Sequence, residues 1–240
     1  MNIGLQLWSI HEEASKDLLS TLEKVAKMGY DGVEFAGYFG HSAQELKEKL
    51  AELGLKVAAS HVPYEALRDN FEETIKFEVE LGNKYVVIPY ATFETVEEWL
   101  EFVEVVAKIR EQFDGLQLKL VYHNHFEEFQ IVDGEFIMDK LINAAGMIEL
   151  DVYWAEFSKV NPSEYLAKFN NISPLVHMKD MADCRTKSTI LGTGIIDFKP
   201  IIKQARENGA EWLIVEQEAF DIDPLDSVAQ GVKNLKELLK

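Results

Sequence analysis

The sequence predicts an α/β fold, a single (β/α)8 barrel that spans residues 1–240. Three observations lead to this prediction: eight short apolar runs alternate with eight amphipathic runs, the junctions between them repeat one pattern, and the length suits one barrel. A barrel of this class has about 250 residues, so the chain has room for one copy with short loops. An open, doubly wound sheet is the alternative architecture.

The predicted strands are the short runs rich in β-branched and apolar residues. They lie near residues 2–8, 32–36, 56–61, 85–89, 118–123, 147–152, 174–179 and 212–217. The predicted helices are the longer runs of Glu, Lys, Leu and Ala between them, near residues 16–28, 42–53, 65–82, 94–112, 135–145, 162–170, 197–208 and 225–239. Strand and helix therefore alternate through the whole chain.

Three junctions share the order helix end, glycine, strand, in KMGYDGVEF, ELGLKVAAS and ELGNKYVVI. Glycine is favoured where a helix ends in the left-handed conformation, which predicts C-terminal caps at Gly29, Gly54 and Gly82. Predicted N-caps are Ser42, Asp197 and Asp226. Eight consecutive units of this kind favour a closed TIM barrel over an open sheet.

Charge and cysteine content limit the function classes. With 24 Lys and Arg against 42 Asp and Glu, the net charge is −18, which opposes binding to nucleic acid phosphates. No apolar run reaches 18 residues, so no membrane span is predicted. The start, MNIGLQLWSI, lacks the features of a signal peptide, and the one cysteine, Cys184, has no partner for an internal disulfide. We expect a cytoplasmic protein that acts on a small molecule.

Polar residues follow nearly every predicted strand, where a barrel of this type places its active site. They are Gln6, Glu34, His61, His123, His125, Asp151, His177, Lys179, Glu216 and Glu218. Side chains two residues apart share one face of a strand, so pairs such as His177 and Lys179 point the same way. These strand ends predict a site rich in carboxylate and imidazole groups.

Asp151, His177 and Glu216 end three consecutive strands and should converge at the barrel mouth. Mixed oxygen and nitrogen ligands suit a divalent metal ion such as Mn, Co, Zn or Mg. Each residue also has a structural alternative. Asp151 could cap the next segment, His177 could be a hydrogen-bonded structural residue, and Glu216 could form an ion pair with Lys179. Their occurrence together at equivalent strand ends favours a metal site.

Two further segments are candidate parts of the site. YHNHFEEF, after strand five, carries two histidines and Glu127 and Glu128, a composition that favours a site role over a solvated loop. LGTGIIDF could bind an anion through glycine N–H groups, although a turn capped by Asp197 is favoured. Lys179 and Arg185 are the cations expected nearest the metal.

The ordered set GLQLWS, GYDGVEF, YHNHFEEF, ELDVYW, LVHMKD, LGTGIIDF and IVEQE resembles the sugar phosphate isomerase/epimerase family, the xylose isomerase-like barrels that include inosose dehydratase and endonuclease IV. The resemblance implies a metal held by a Glu after strand five, then an Asp, a His and a Glu. The last three match Asp151, His177 and Glu216. The better-known epimerases have the first Glu within the strand, where Tyr122 stands here, so Glu128 is the candidate. His123 or His125 is the alternative fourth ligand.

The resemblance further implies isomerisation or epimerisation of a sugar or sugar phosphate through an enediolate, with Glu128 and Glu216 as the proton-transfer pair. The implied substrate-binding residues are Gln6, His61, His123, His125, Lys179 and Arg185. Trp8, Phe35 and Trp154 either face the sugar or pack in the core. Trp154 also stands where those epimerases have a substrate-binding histidine, so their catalytic details do not transfer whole.

Three other functions remain as alternatives. An inosose-dehydratase-like lyase shares the opening proton abstraction but expels a β-hydroxyl. A non-catalytic sugar-binding barrel is encouraged by Tyr122 in place of the in-strand Glu. Endonuclease IV-like DNA repair needs a basic face, which the charge of −18 opposes. The resemblance also implies a homo-oligomer.

Overall fold

The computed structural model describes residues 1–240 and has at its centre a closed barrel of eight parallel strands. The strands are β1 (Asn2–Gln6), β2 (Gly32–Phe35), β3 (Lys56–His61), β4 (Tyr85–Ile88), β5 (Lys119–His123), β6 (Ile148–Asp151), β7 (Leu175–Met178) and β8 (Trp212–Val215). Each strand pairs with its neighbours in chain order, and β1 pairs with β8 to close the barrel. The predicted fold class is confirmed, and the open sheet is excluded.

Eleven helices surround the barrel or follow its strands. They are α1 (His11–Lys16), α2 (Leu18–Met28), α3 (Ala43–Leu53), α4 (Tyr64–Asp69), α5 (Phe71–Leu81), α6 (Val96–Glu111), α7 (Ile137–Ala145), α8 (Val152–Phe157), α9 (Pro162–Leu166), α10 (Phe198–Glu207) and α11 (Pro224–Leu238). Single 3-10 turns lie at Leu7–Ile10 and Glu127–Phe129. None of the helices combines the length and the apolar character that crossing a membrane requires.

The helix ends confirm most of the predicted caps. Gly29, Gly54 and Gly82 each take the left-handed conformation after a helix, and the side chains of Ser42 and Asp197 accept N–H bonds at the start of α3 and α10. The cap predicted at Asp226 is wrong. Asp223 caps α11 instead, because Pro224 occupies the first helical position, where its missing N–H costs nothing.

Several predicted helices differ in extent from those of the structure. The helix predicted over 65–82 is two helices, α4 and α5, which meet at Asn70. That predicted over 162–170 stops at Leu166. The strand predicted over 2–8 ends at Gln6 and turns into 3-10 geometry. The sequence pattern also did not predict α1, α8 or the two short hairpins at 131–136 and 180–189. Most of these differences lie in the connections after strands, where the site residues are also found.

Strand alternation divides the core into two layers. A smaller cluster, including Tyr85, Val87, Val121 and Ile214, fills the lower barrel, and a much larger one packs between strands and helices. Towards the carboxyl ends of the strands, the inward positions change from apolar to polar. Side chains on the same inward strand face as the smaller cluster are therefore the ones that reach the site.

Candidate metal centre

Four buried side chains converge where β5, β6, β7 and β8 end. His123, Asp151, His177 and Glu216 each offer one ligand atom, and these four atoms lie within 4.8 Å of one another. The register accounts for their approach, because Asp151 pairs with His177 across β6 and β7, and Ile214, two residues before Glu216, pairs with His177 across β7 and β8. We call these four residues the upper group.

Asp151 divides its two carboxylate oxygens between two tasks. Oδ1 accepts the N–H groups of Tyr153 and Trp154 at 2.8 and 3.2 Å, so it caps α8. Oδ2 is buried without a hydrogen-bond partner and lies 3.7 Å from Nε2 of His123, which is also unpartnered. The Asp151 side chain therefore caps α8 with Oδ1 and leaves Oδ2 oriented to bind a cation.

His177 lies between carboxylates on both sides of its ring. Its Nδ1 is 3.2 Å from Oε2 of Glu216, whereas its Nε2 is 2.6 Å from Oε2 of Glu34 and 3.3 Å from Oε2 of Glu149. Burial lowers the pKa of His177, but Glu149, Glu34 and Glu216 outweigh it and raise the pKa well above its ordinary value. In the absence of a cation, a positive imidazolium is the form that these carboxylates favour.

A second group lies next to the upper one and shares His177 with it. Glu34, His61, Glu149 and His177 form this lower group, with ligand atoms again within 4.8 Å. Nε2 of His61 is 2.9 Å from Oε2 of Glu149 and 3.3 Å from Oε2 of Glu34. Burial and the neighbouring Glu149 raise the pKa of Glu34. For Glu149, burial is outweighed by His177 and His61, and its pKa is lowered.

Lys179 is fully buried beside the upper group and is engaged by three carboxylates. Its Nζ lies 2.6 Å from Oε2 of Glu218, 3.2 Å from Oε2 of Glu216 and 3.7 Å from Oδ2 of Asp151. Its ammonium also lies 4.8 Å above the ring of Trp154. Burial lowers its pKa, but Glu216 and Asp151 more than compensate and raise it. Lys179 is therefore held positive and is oriented by the protein itself.

Glu128 is the one predicted ligand that the structure does not bring to the other three. Its Oε1 accepts the Tyr122 hydroxyl at 2.9 Å, and its Oε2 accepts the N–H of His125 at 2.9 Å. Tyr122 packs in the outer core, near Phe102 of α6, because alternation turns it away from the barrel interior. Glu128, which accepts the Tyr122 hydroxyl, therefore lies away from the upper group. His123, on the inward face of β5, belongs to that group instead.

Apart from Lys179, the predicted substrate-binding residues divide into two sets. His61, His123 and His125 line a cavity of about 910 Å³ that opens beside the upper group. Gln6 is buried, and its amide donates to Oε2 of Glu34 at 2.7 Å. Arg185 lies on the surface, paired with Glu156 at 3.2 Å, and is absent from the cavity wall. The cavity thus has imidazoles but no contribution from Gln6 or Arg185.

His125 differs from the other site histidines in its surroundings. Burial, followed by the positive charges of His123 and Lys179, lowers its pKa to about 2. Its ring is 5.0 Å from that of Tyr90 and 5.3 Å from that of Trp154. His125 is therefore a neutral hydrogen-bonding group at this wall, not a cation.

The three aromatic residues considered from the sequence have three different positions. Phe35 is fully buried in the outer core. Trp8 is half exposed and lines the cavity. Trp154 lies beneath the Lys179 ammonium, with its indole N–H buried and unpartnered. Of these three residues, Trp8 alone offers a face to a ligand in the cavity.

The glycine loop at 191–198 surrounds a carboxylate of the protein. The N–H groups of Gly192 and Gly194 donate to Oδ2 of Asp180 at 2.9 and 2.8 Å, and that of Ile196 donates to Oδ1 at 3.3 Å. A Cβ on Gly194 would lie 2.2 Å from the carbonyl oxygen of Met181. The turn is thus occupied by Asp180, and Asp197 caps the following helix as favoured from the sequence.

Glu149 is the site residue that the sequence reading missed. It lies within β6, two residues before Asp151, and is completely buried. The signal was present in IELD, since residues two apart on a strand share one face. An acidic residue on the same face as Asp151 could have been added to the cluster on that ground.

Comparison with known proteins agrees with this architecture. The chain is 25% identical to an inosose dehydratase of Clostridium botulinum (strain Alaska E43 / Type E3), over 90% of this chain and 88% of the relative. It superposes on a sugar phosphate isomerase/epimerase from Parabacteroides distasonis ATCC 8503 with a TM-score of 0.85 and 25% identity, covering all of both chains. An IOLI protein with a bound zinc atom superposes with a TM-score of 0.76 at 18% identity, covering 100% of this chain and 98% of that one.

The sequence model of one family, described as the xylose isomerase-like TIM barrel, matches residues 22–238. This range contains every residue of the upper and lower groups. It also contains seven of the eight barrel strands, β2 to β8. The chain belongs to the xylose isomerase-like TIM barrel family.

Proposed function

We propose that the protein is a divalent-metal-dependent enzyme that transfers a proton next to the carbonyl of a sugar or of an inosose, the ketone of a cyclic polyol, as an isomerase or epimerase. One observation carries the proposal. Oδ2 of Asp151 and Nε2 of His123 are buried close together beside His177 and Glu216, and neither has a hydrogen-bond partner; Lys179 approaches Oδ2 no nearer than 3.7 Å. Buried ligand atoms without partners are costly unless something binds them, and a cation satisfies both at once.

The donor set fits a divalent cation. Two carboxylates and two imidazoles match Zn, Mn or Co better than an all-oxygen site would. We propose His123, Asp151, His177 and Glu216 as the ligands. This set replaces Glu128 by His123, because Tyr122 and the His125 N–H already engage both oxygens of Glu128.

A divalent cation bound in the upper group would polarise a substrate carbonyl and acidify the adjacent C–H bond. Glu216 lines the cavity, and Lys179 and His177 lower its pKa against the effect of burial, so its carboxylate is ionised and able to accept that proton. Glu218 also lines the cavity, and burial raises its pKa, which suits the group that returns a proton. We propose Glu216 and Glu218 as the proton-transfer pair.

Other residues of the cavity would orient the substrate. Lys179 fixes both proposed carboxylates, since its Nζ contacts Glu216 and Glu218. His61, His123 and His125 face the cavity with ring nitrogens that can bind hydroxyl groups. Trp8 adds an apolar face, which suits the C–H surface of a sugar.

Elemental analysis of metal content tests the centre directly. Protein purified without added metal is compared with His177→Ala and with His41→Ala, a histidine outside the site that pairs with Glu45. We expect metal in the parent and His41→Ala proteins and its loss from His177→Ala. Equal metal content in all three would refute the ligand assignment.

A deuterium exchange experiment tests the chemistry. The metal-loaded protein is incubated in deuterated water with a panel of ketoses, inososes and sugar phosphates, and NMR follows deuterium entering next to the carbonyl. We expect exchange by the parent protein and a loss of at least ~100-fold in Glu216→Gln. A protein that only binds sugar would incorporate none.

A lyase of the inosose dehydratase type is the second candidate, supported by the 25% identity to inosose dehydratase over most of both chains. It shares proton removal by Glu216, after which the β C–O bond breaks and the hydroxyl leaves as water with a proton donated by Glu218. The unsaturated ketone formed absorbs ultraviolet light, so a spectrum of the same reactions distinguishes the two. Exchange with no new absorbance supports the isomerase or epimerase.

A further inference from the structure

The cavity beside the upper group bears on the kind of substrate that the enzyme accepts. The cavity of about 910 Å³ is lined by four carboxylate residues, Glu73, Glu78, Glu216 and Glu218. No lysine or arginine belongs to its wall. Sites that bind a phosphoryl group normally provide cations or a helix N-terminus for it. The N-terminal turn of α5 does lie on this wall, but it carries the carboxylate of Glu73.

The nearest buried cation is not free to bind an anion. Lys179 is completely buried, and its ammonium is shared among Glu218, Glu216 and Asp151. A phosphate would have to displace one of these carboxylates from Lys179. Arg185, the other cation expected from the sequence, is outside the wall and pairs with Glu156.

The glycine loop offers no anion site either. Its N–H groups already donate to the carboxylate of Asp180. A phosphate at this loop would have to compete with the Asp180 carboxylate, which accepts three N–H bonds from the loop. The net charge of −18 also lowers the local concentration of anions around the protein.

We infer that the enzyme takes uncharged, non-phosphorylated sugars or polyols and rejects their phosphate esters, and that Glu73 is a determinant of this choice. The inference rests on the proposed function and narrows its substrate class. Glu73 lies on α5 at the exposed rim of the cavity and has no ion-pair or hydrogen-bond partner. Glu78, by contrast, is buried and accepts the Tyr38 hydroxyl and the amide of Asn83.

The apolar part of the wall agrees with an uncharged ligand. Trp8, Tyr38, Phe77 and Tyr90 contribute to it. Aromatic faces pack against the C–H surfaces of sugars and give no compensation for the lost hydration of a phosphate dianion.

A matched pair of substrates tests the inference. The metal-loaded protein is given D-fructose or fructose 6-phosphate in deuterated water, and exchange rates are compared at equal, subsaturating concentrations. Because a phosphate at the rim would meet the carboxylate of Glu73 with no lysine or arginine on the wall to compensate, we expect fructose to be favoured by at least ~10-fold. Equal rates, or a preference for the phosphate ester, would overturn the inference while leaving the proton-transfer function intact.

Two charge-reversal variants locate the determinant. Glu73→Lys places a cation at the rim, and Glu72→Lys makes the same change in net charge one residue away, at an exposed position outside the cavity wall. We expect Glu73→Lys to reduce the preference for fructose by about tenfold and Glu72→Lys to change it less than twofold. Equal effects of the two variants would refute the role of Glu73.

Binding measured without turnover separates this inference from the proposed function. Saturation-transfer NMR is recorded for the same two sugars with the metal-loaded protein. If no sugar of the panel exchanges deuterium, the proposed function loses its support, but stronger binding of fructose still supports the inference. Stronger binding of fructose 6-phosphate, equal binding of both, or binding of neither overturns it.

Discussion

Nε2 of His177 lies 2.6 Å from Oε2 of Glu34, and the amide of Gln6 donates to that same oxygen at 2.7 Å. This contact joins β7 to β2 across the barrel interior. A carboxylate that accepts the Nε2 proton leaves Nδ1, on the Glu216 side of the ring, free to bind a cation. Glu34 is therefore placed to favour the tautomer that the proposed centre needs.

Replacing Glu34 by glutamine should weaken metal binding without removing a proposed ligand. A neutral amide accepts the His177 N–H less strongly, and we expect metal affinity to fall by roughly 10- to 100-fold. Titration against a chelator of known affinity measures this. Glu12→Gln, at an exposed carboxylate outside the cavity wall, serves as the control. Unchanged affinity in Glu34→Gln would mean that Glu34 does not orient His177.

Two substitutions of Asp151 should separate its two tasks. Asn keeps an oxygen that can cap α8 but loses the anionic Oδ2, whereas Ala loses both. We expect both variants to lose metal. With a chelator present, Asp151→Ala should also unfold more easily than Asp151→Asn, by about 1 kcal/mol, since a lost N-cap costs this much. Thermal unfolding of the two metal-free variants makes the comparison, and equal stability would contradict the capping role.

Glu128 should make folding stability depend on pH. Burial raises its pKa to about 7 from 4.5. The folded protein then binds this proton more tightly than the unfolded chain, so the contribution to stability is complete below pH 4.5 and declines as the pH rises towards 7. A shift of this size corresponds to something on the order of 3 kcal/mol.

Glu128→Gln removes that titration. Relative to the parent protein, we expect the variant to gain stability progressively between pH 4.5 and 7, as denaturant unfolding at several pH values would measure. Glu12→Gln, which removes an exposed carboxylate instead of a buried one, is the matched control. A constant difference between Glu128→Gln and the parent across this range would disprove the raised pKa.

Gly194→Ala should destabilise the turn that surrounds Asp180. A Cβ there would lie 2.2 Å from the carbonyl oxygen of Met181 and 2.5 Å from Oδ1 of Asp180, so the backbone must move. We expect a loss of about 1–3 kcal/mol, typical of overpacking. At Gly231, in α11, a Cβ would make ordinary contact with Val215 at 3.4 Å, and Gly231→Ala should be neutral or stabilising. Similar losses in both variants would contradict this account.

Local pattern was enough to predict the barrel and much of its site. Alternating apolar and amphipathic runs predicted eight strands, and glycine after three helices predicted their ends, because periodicity and left-handed caps are properties of short segments. The same local logic predicted that Asp151, His177 and Glu216 would meet, since their strands are neighbours in the chain and in the barrel.

The position of Glu128 could have been anticipated in part. Tyr122 and His123 are adjacent in β5 and must point to opposite faces, so only one can reach the interior. The choice of face depends on the packing of Tyr122 against α6, which no short segment specifies. His123 therefore replaces Glu128 beside Asp151.

The contacts between distant strands were decided by tertiary structure alone. Glu34 and His177 are 143 residues apart, and they meet because closure of the barrel brings β2 and β7 to the same interior layer. The commitment of Lys179 to three carboxylates likewise depends on side chains from β6 and from the segment after β8, and the cavity wall has no lysine or arginine of its own. Sequence pattern supplied the chemical groups of the site, whereas barrel closure and strand register determined which of them are neighbours.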